Sequence, residues 1–266
     1  MIRLACSTLS AEGFENSFFE KTFEMIPVAG FRFLEINMWF PELLEEAAVS
    51  SFKERSRKRQ LKPISVLASG FGEDPGSPKE FQEALDYKIK AMRYTADLGC
   101  GLYLGTGAGR GKKGGINGVI AQLRELLPAA KELGLRIGLE NHQGNNLEFV
   151  EDYLEIFEQI DDPALGAVCD NGHFDASGIP MRRIIDEIGE KVIHLHVKEN
   201  NGFGKKAFVR FGEGTTDHSQ MINGFLQMGY DGYMSVELSP PADRPSSIAD
   251  LNKAYEMFTA YEGVEG

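Results

Sequence analysis

Eight short apolar runs, separated by stretches with helical periodicity, constrain this chain more than any other feature. They cover residues 2–7, 31–37, 63–68, 101–105, 135–140, 165–170, 192–197 and 233–238 and are rich in β-branched and other apolar side chains. Residues 81–98 place Leu85, Ile89, Met92 and Ala96 at helical spacing and stop before Gly99, as a helix with a C-terminal glycine does; 118–133 and 147–160 follow the same pattern. Strand and helix in alternation require parallel pairing through right-handed crossovers, and eight such units favour a closed barrel over an open sheet. The expectation is an α/β chain folded as one (β/α)8 TIM barrel over residues 1–266. A mass of 29.4 kDa matches a domain of about 250 residues and requires no second one.

Four of these runs carry a metal-ligating side chain at or near the carboxyl end. Glu140, Asp170, His196 and Glu237 belong to LRIGLE, LGAVCD, VIHLHV and GYMSVE, and they lie 30, 26 and 41 residues apart. One strand–helix unit of such a barrel averages roughly 33 residues, so successive units each supply one ligand at the end where catalytic groups converge. Side-chain alternation sharpens the case. His194, His196 and Lys198 share one face of their strand, while Ile193, Leu195 and Val197 share the other. Arg136, Gly138, Glu140 and His142 form a second such face, and Tyr233, Ser235, Glu237 and Ser239 a third. These polar faces are expected to line the carboxyl-terminal half of the barrel interior.

A lone glutamate at a strand end is usually a solvated rim residue, and a lone inward histidine is usually a hydrogen-bonded core residue. Four converging groups differ, because unpaired carboxylates repel and raise one another's pKa whereas a divalent cation neutralises them. Three carboxylates and one imidazole, with no thiolate, suit a single Mn²⁺, Co²⁺, Zn²⁺ or Mg²⁺ ion better than an iron–sulfur cluster or a structural zinc.

Other candidates surround this set. His173 follows Asp170 in CDNGH and is placed to reach a substrate hydroxyl; His194, one layer deeper than His196, is a supporting or core group; His218, in GTTDHSQ, starts a helix. Lys198 and Arg210 are candidates for a distal hydroxyl, carboxylate or phosphate, with rim solubility the alternative. Trp39 and Phe40 follow the second strand and are expected at the pocket mouth, with packing on a neighbouring loop the alternative. The glycine-rich segment 105–118, with Arg110, Lys112 and Lys113, lacks the GxxxxGK[ST] order and is read as a solvated loop in preference to an anion site.

A net charge of −12 and a pI near 5.0 argue against a polyanion-binding surface, so no nucleic-acid partner is expected. Cys6, Cys100 and Cys169 form no CxxC pair and sit in or beside apolar runs, as buried thiols of a reducing compartment do, which points to the cytoplasm. The start MIRLACSTLSAEGF carries no apolar signal segment, and no run of about 18 apolar residues occurs, so no membrane span is expected. Association into a homo-oligomer is left open.

With LENH at 139–142, DNGH at 170–173, HLHVKE at 194–199, GEG at 212–214 and GYDGYMSVE at 229–237, the whole chain resembles the sugar isomerase/epimerase superfamily of xylose isomerase-like TIM barrels. The resemblance implies one divalent ion on Glu140, Asp170, His196 and Glu237, proton transfer by the two glutamates, and contact of His173 with substrate oxygens. Some branches fit less well. Asn146 stands where ketose 3-epimerases carry a substrate-binding glutamate, and ENHQ stands where hydroxypyruvate isomerases read EPIN. The related apurinic endonucleases use extra histidines after strands three and four, and VLASGFGED and LGTGAGRG contain none.

These readings combine into a metal-dependent isomerase or epimerase of a keto sugar or related polyol. Glu140 and Glu237 would exchange base and acid roles across an enediolate. A metal-dependent dehydratase or lyase acting on a keto-cyclitol or 3-keto-sugar, with His142 or His173 protonating the leaving group, is the alternative. A catalytically silent binding or subunit barrel is the reading from a different class.

Overall fold

The computed structural model describes residues 1–73, 76–238 and 246–266, with Ser69 through its backbone alone. Ser239, assigned above to the inner face of the eighth strand, lies outside the described residues. The first half of the chain comprises β1 (Ile2–Ser7), α1 (Leu9–Glu12), α2 (Glu20–Met25), β2 (Phe33–Asn37), α3 (Glu46–Lys58), β3 (Lys62–Phe71), α4 (Pro78–Asp97), β4 (Leu102–Gly107) and α5 (Gly115–Glu132). It continues with β5 (Arg136–Glu140), α6 (Val150–Gln159), β6 (Leu165–Asp170), α7 (Asn171–Ala176), α8 (Met181–Ile188) and β7 (Val192–Val197). The last elements are α9 (His218–Gln227), β8 (Tyr233–Val236), α10 (Ile248–Thr259) and β9 (Val264–Glu265).

Strands β1 to β8 pair in parallel in sequence order, and β1 pairs with both β8 and β2, so the sheet closes on itself. The eight expected strands are all present. The largest differences lie in β3, which runs three residues further than its apolar core suggested, and in the short β9, which adds to β1 outside the barrel. At Pro63 the chain has no N–H to give to the ladder. There the β2–β3 register shifts by one residue, so that Glu35 faces Ser65.

Outward-facing strand residues and the inner faces of the helices form one continuous apolar cluster, whereas Leu67, Leu104 and Val168 form a separate plug inside the barrel. Barrel interiors are filled with side chains in this way, and the plug is the floor on which the polar groups stand. Gly138 belongs to that floor: a Cβ there would lie 2.6 Å from Leu104 Cδ2 and 2.8 Å from Val168 Cγ2.

The segment 105–118 is braced by the rest of the chain. Arg110 pairs with Glu148 at 3.2 Å and with Asp152, and its guanidinium covers the Phe149 ring, so its charge is committed to structural partners. Isolated bridges join Gly109 to Asn145 and Glu73 to Gly114.

Helix α7 starts directly at the end of β6 and packs against the end of β7 at Gly172, where a Cβ would stand 2.6 Å from Lys198 O and 2.7 Å from Lys198 Cβ. Because the nearest atoms are backbone, the chain itself would have to move. Gly172→Ala should therefore destabilise the protein by about 1–3 kcal/mol, the usual effect of overpacking. Urea unfolding measures this, and an unchanged midpoint would show that α7 can shift freely.

Candidate metal and active site

Glu140, Asp170 and His196 occupy the carboxyl ends of β5, β6 and β7, and Glu237 follows β8, its N–H donating to Val197 O at 3.0 Å. One donor atom from each of the four lies within 4.8 Å of the other three, and all four residues are buried. Ligands about 2.0–2.2 Å from a common ion stand at such separations from one another.

The local structure explains these orientations. Asp170 is the N-cap of α7: Oδ1 accepts from His173 N at 2.9 Å, leaving Oδ2 to face the cluster. Asn141 fastens β5 to β6, accepting from Asp170 N at 2.7 Å and donating to Asp170 O at 2.9 Å. Asn171 does the same for β6 and β7, accepting from Lys198 N at 3.1 Å, while its amide meets His218 Nδ1 at 2.8 Å. His218 starts α9, as expected, but it is also buried against Glu199.

Lys198 stands inside the cluster, not on the rim. Its Nζ lies 3.3 Å from Asp170 Oδ2, contacts Glu237 Oε2, and is 3.1 Å from His173 Nε2. An ammonium can only donate, so this histidine nitrogen accepts. Burial opposes the Lys198 charge, but Asp170 and Glu237 outweigh it and hold the ammonium well above its ordinary pKa.

The acidic groups diverge. Burial, helped by Glu140 and opposed by Lys198, pushes the Glu237 carboxyl up to about 7. Burial would raise Glu140 too, yet His196 and Lys198 hold it below the carboxylate range. His196 is disfavoured as a cation by burial, but Glu35 and Glu140 raise it well above the usual histidine value. Asp170 Oδ2 and Glu237 Oε2 are buried and both face the Lys198 ammonium as ion pairs. Three carboxylates and an imidazole with donor atoms this close together fit a hard or borderline divalent cation.

The cluster forms the inner end of a cavity of 460 Å³. Leu9, Phe14, Trp39 and Leu67 line one side; Asn145, His142, His173, Lys206 and Phe208 line the other. The rings of His142 and His173 lie 4.0 Å apart, and Phe208 meets His173 edge-on at 4.8 Å. Burial lowers the pKa of both histidines, and Lys198 adds to the effect at His173, which is held well below its ordinary value. A wider groove of 810 Å³ lies on the outer surface among residues of α3 and α4, including Lys53, Arg57 and Arg93, away from the strand ends.

Of the residues singled out from sequence, Glu140, His142, His173, Lys198, Glu237 and Trp39 meet at this cavity, with Asp170 and His196 beneath it. Arg210 is not among its lining. Its guanidinium is buried, with Nη1 donating to Ser246 Oγ at 3.0 Å, because a buried cation needs fixed acceptors. Phe40 packs against the main core, and only Trp39 of that pair reaches the cavity. Sequence reasoning missed Glu35, Asn141, Asn171, Phe14 and Phe208. A signal was present for three of them: an asparagine directly follows a ligand in both LEN and CDN, and Glu35 interrupts the apolar run FLEIN on the inward face.

The sequence pattern of the xylose isomerase-like TIM barrel matches residues 23–256, and the chain belongs to that family. A stretch of 146 residues is 32% identical to an uncharacterised protein of Methanocaldococcus jannaschii, covering 52% of this chain and 46% of that one. Fructoselysine 3-epimerase of Escherichia coli O157:H7 is 26% identical over 59% of each chain, so the chain spans only about half the length of these two relatives. Inosose isomerase of Bacillus velezensis is 23% identical over 85% of each chain. A crystal structure of IOLI protein with a binding zinc atom superposes with a TM-score of 0.81 over 97% of this chain and 96% of that one; at 20% identity the likeness is one of fold. No helix among the described residues is long and apolar enough to cross a membrane.

Asn141→Ala would leave the buried Asp170 N–H and C=O without their partner. The expected loss is about 1–3 kcal/mol of stability for each polar group stranded. Wild-type stability on urea unfolding would show that another group takes over the brace.

Proposed function

We propose that this protein is a divalent-metal-dependent isomerase or epimerase acting on a keto sugar or related polyol through an enediolate. The observation that carries the reading is the placement of Glu140 and Glu237, from separate strands, at the inner end of one cavity beside Asp170 and His196. The names of the epimerase and isomerase relatives, and the zinc in IOLI protein, support it.

An ion held by Glu140, Asp170, His196 and Glu237, whether Mn²⁺, Co²⁺, Zn²⁺ or Mg²⁺, supplies Lewis-acid polarisation of a carbonyl oxygen. The side chains do the rest. One glutamate removes the proton α to the carbonyl, and the other returns a proton from its own side. His142 and His173, stacked on the cavity wall, hydrogen-bond substrate hydroxyls, and Lys198 keeps the carboxylates in place from within. Trp39 and Phe14 stack at 5.5 Å and give a sugar's C–H face an apolar wall. Three free, buried thiols support a reducing, cytoplasmic location.

β-Elimination from a keto-cyclitol or 3-keto-sugar uses the same proton abstraction. It differs in requiring an acid at the leaving group, for which His142 and His173 are adjacent.

A screen of ketoses, 3-keto-sugars and inososes in D₂O, read by NMR, tests the class, and product mass separates isomerisation from elimination. With metal occupancy measured, Glu140→Gln and Glu237→Gln should each lower turnover by ~10²-fold or more. A variant lacking only the reprotonating group should still wash deuterium in while failing to convert substrate. Wild-type rates of exchange and conversion in both variants would rule out the two-glutamate mechanism.

Trp39 is the one tryptophan of the chain, so its fluorescence reports the cavity wall directly. A ketose that is turned over should shift its emission on binding, and Trp39→Ala should raise KM. Unchanged emission, or an unchanged KM and substrate range in the folded variant, would remove Trp39 from the pocket.

A further inference from the structure

Glu35 is fully buried in β2 and belongs neither to the four-ligand cluster nor to the cavity wall. In the barrel wall β1 and β8 separate β2 from β7, yet the Glu35 carboxylate crosses the interior and meets two histidines of β7. Its Oε2 lies 3.0 Å from His196 Nε2 and 2.9 Å from His194 Nε2. Ser65 Oγ donates to the same oxygen at 2.9 Å, placed opposite Glu35 by the register shift beside Pro63. The other nitrogen of His196, Nδ1, faces Glu140 Oε1 at 2.8 Å.

We propose that Glu35 is the positioning residue for the metal site, holding the Nε2 edge of His196 so that Nδ1 is presented to the ion shared with Glu140, Asp170 and Glu237. The inference rests on the four-ligand reading of that cluster. An imidazole whose far N–H is given to a carboxylate has its tautomer and ring plane fixed and becomes a more basic ligand. Neutral imidazole offers one lone pair, so the nitrogen facing Glu35 and the nitrogen facing the ion cannot exchange roles without loss of the ligand. A separate ion among Glu35, His194 and His196 is the competing assignment. Those three donors also lie within 4.8 Å of one another, and metal bound at His196 Nε2 in the NMR assignment below is the outcome that would support that ion.

The test uses the full chain stripped of metal and titrated with Zn²⁺ in competition with a chromophoric chelator. Glu35→Gln should weaken Zn²⁺ binding by about 10–100-fold, the usual effect of losing such a partner. Asp170→Ala, which removes a ligand, should weaken it at least as far. A purely architectural role for Glu35 would lower the urea midpoint of the metal-free protein but leave Zn²⁺ affinity unchanged. Wild-type affinity in Glu35→Gln beside weakened affinity in Asp170→Ala therefore overturns this proposal and leaves the cluster standing. Full affinity in Asp170→Ala overturns the cluster and the proposal with it. Long-range ¹H–¹⁵N NMR of the Zn²⁺-loaded wild type needs no variant: the proton of His196 should reside on Nε2 with Nδ1 bound to metal, and the reverse assignment overturns the proposal.

Discussion

Everything in this barrel depends on how charge is accommodated where water is excluded. Glu35, Glu140, Asp170 and Glu237 lie inside the sheet with His196 and Lys198, and the same interior holds the apolar plug of Leu67, Leu104 and Val168. An isolated carboxylate in such a place would be driven to protonate. Here the acids instead share two cationic groups, and the balance is uneven: Glu140 is held low and Glu237 is held up to about 7, while Lys198 pairs with both Asp170 and Glu237. Four carboxylates against two cationic groups, with Glu140, Asp170, His196 and Glu237 gathered in one cluster, could hold a divalent cation as well.

The same atoms that close the fold aim the site. Asp170 ends β6, caps α7 and turns its second oxygen inward, so helix geometry dictates ligand geometry. Asn141 and Asn171 tie neighbouring strand ends together through backbone groups and fix the spacing of Glu140, Asp170 and Lys198. Gly172 lets α7 lie against Lys198, whose ammonium then reaches between two carboxylates. Little in this half of the barrel is free to relax independently, as the proposed catalysis would require of a preorganised site.

These dependencies decide what could be read from the sequence. Strand existence was legible because each run is short, apolar and spaced at one strand–helix unit, and the clustering of Glu140, Asp170, His196 and Glu237 was legible because each stands at or near the end of its run on the inward face. Glu35 escaped because its meaning lies in a contact across the barrel to His196, which no local pattern encodes. The asparagines escaped for a related reason: their partners are backbone atoms of the next strand, without side-chain identity. Arg210 follows the same logic in reverse. Its charge suggested contact with a distal substrate group, and its guanidinium is buried with Nη1 donating to Ser246 Oγ, outside the residues that line the cavity. Phe14 and Phe208 arrive from loops, where periodicity gives no guidance.

The cavity divides its labour between its walls. The chemical groups come from β5 to β8 and the turns after them, whereas Leu9, Phe14, Trp39 and Leu67 come from the β1–β3 side and present apolar surface. The sugar proposed as substrate has a polar rim of hydroxyls and a less polar C–H face, so such a cavity would orient it by one face and leave its carbonyl and neighbouring hydroxyl toward Glu140 and Glu237. Phe14 is 70% exposed and held by its stack on Trp39, which places the apolar wall at the entrance and the charges at the bottom. On the proposed function, substrate differences would then be written in the β1–β3 loops, with the two glutamates unchanged beneath them. Within one barrel, recognition and chemistry can vary separately because different strands carry them.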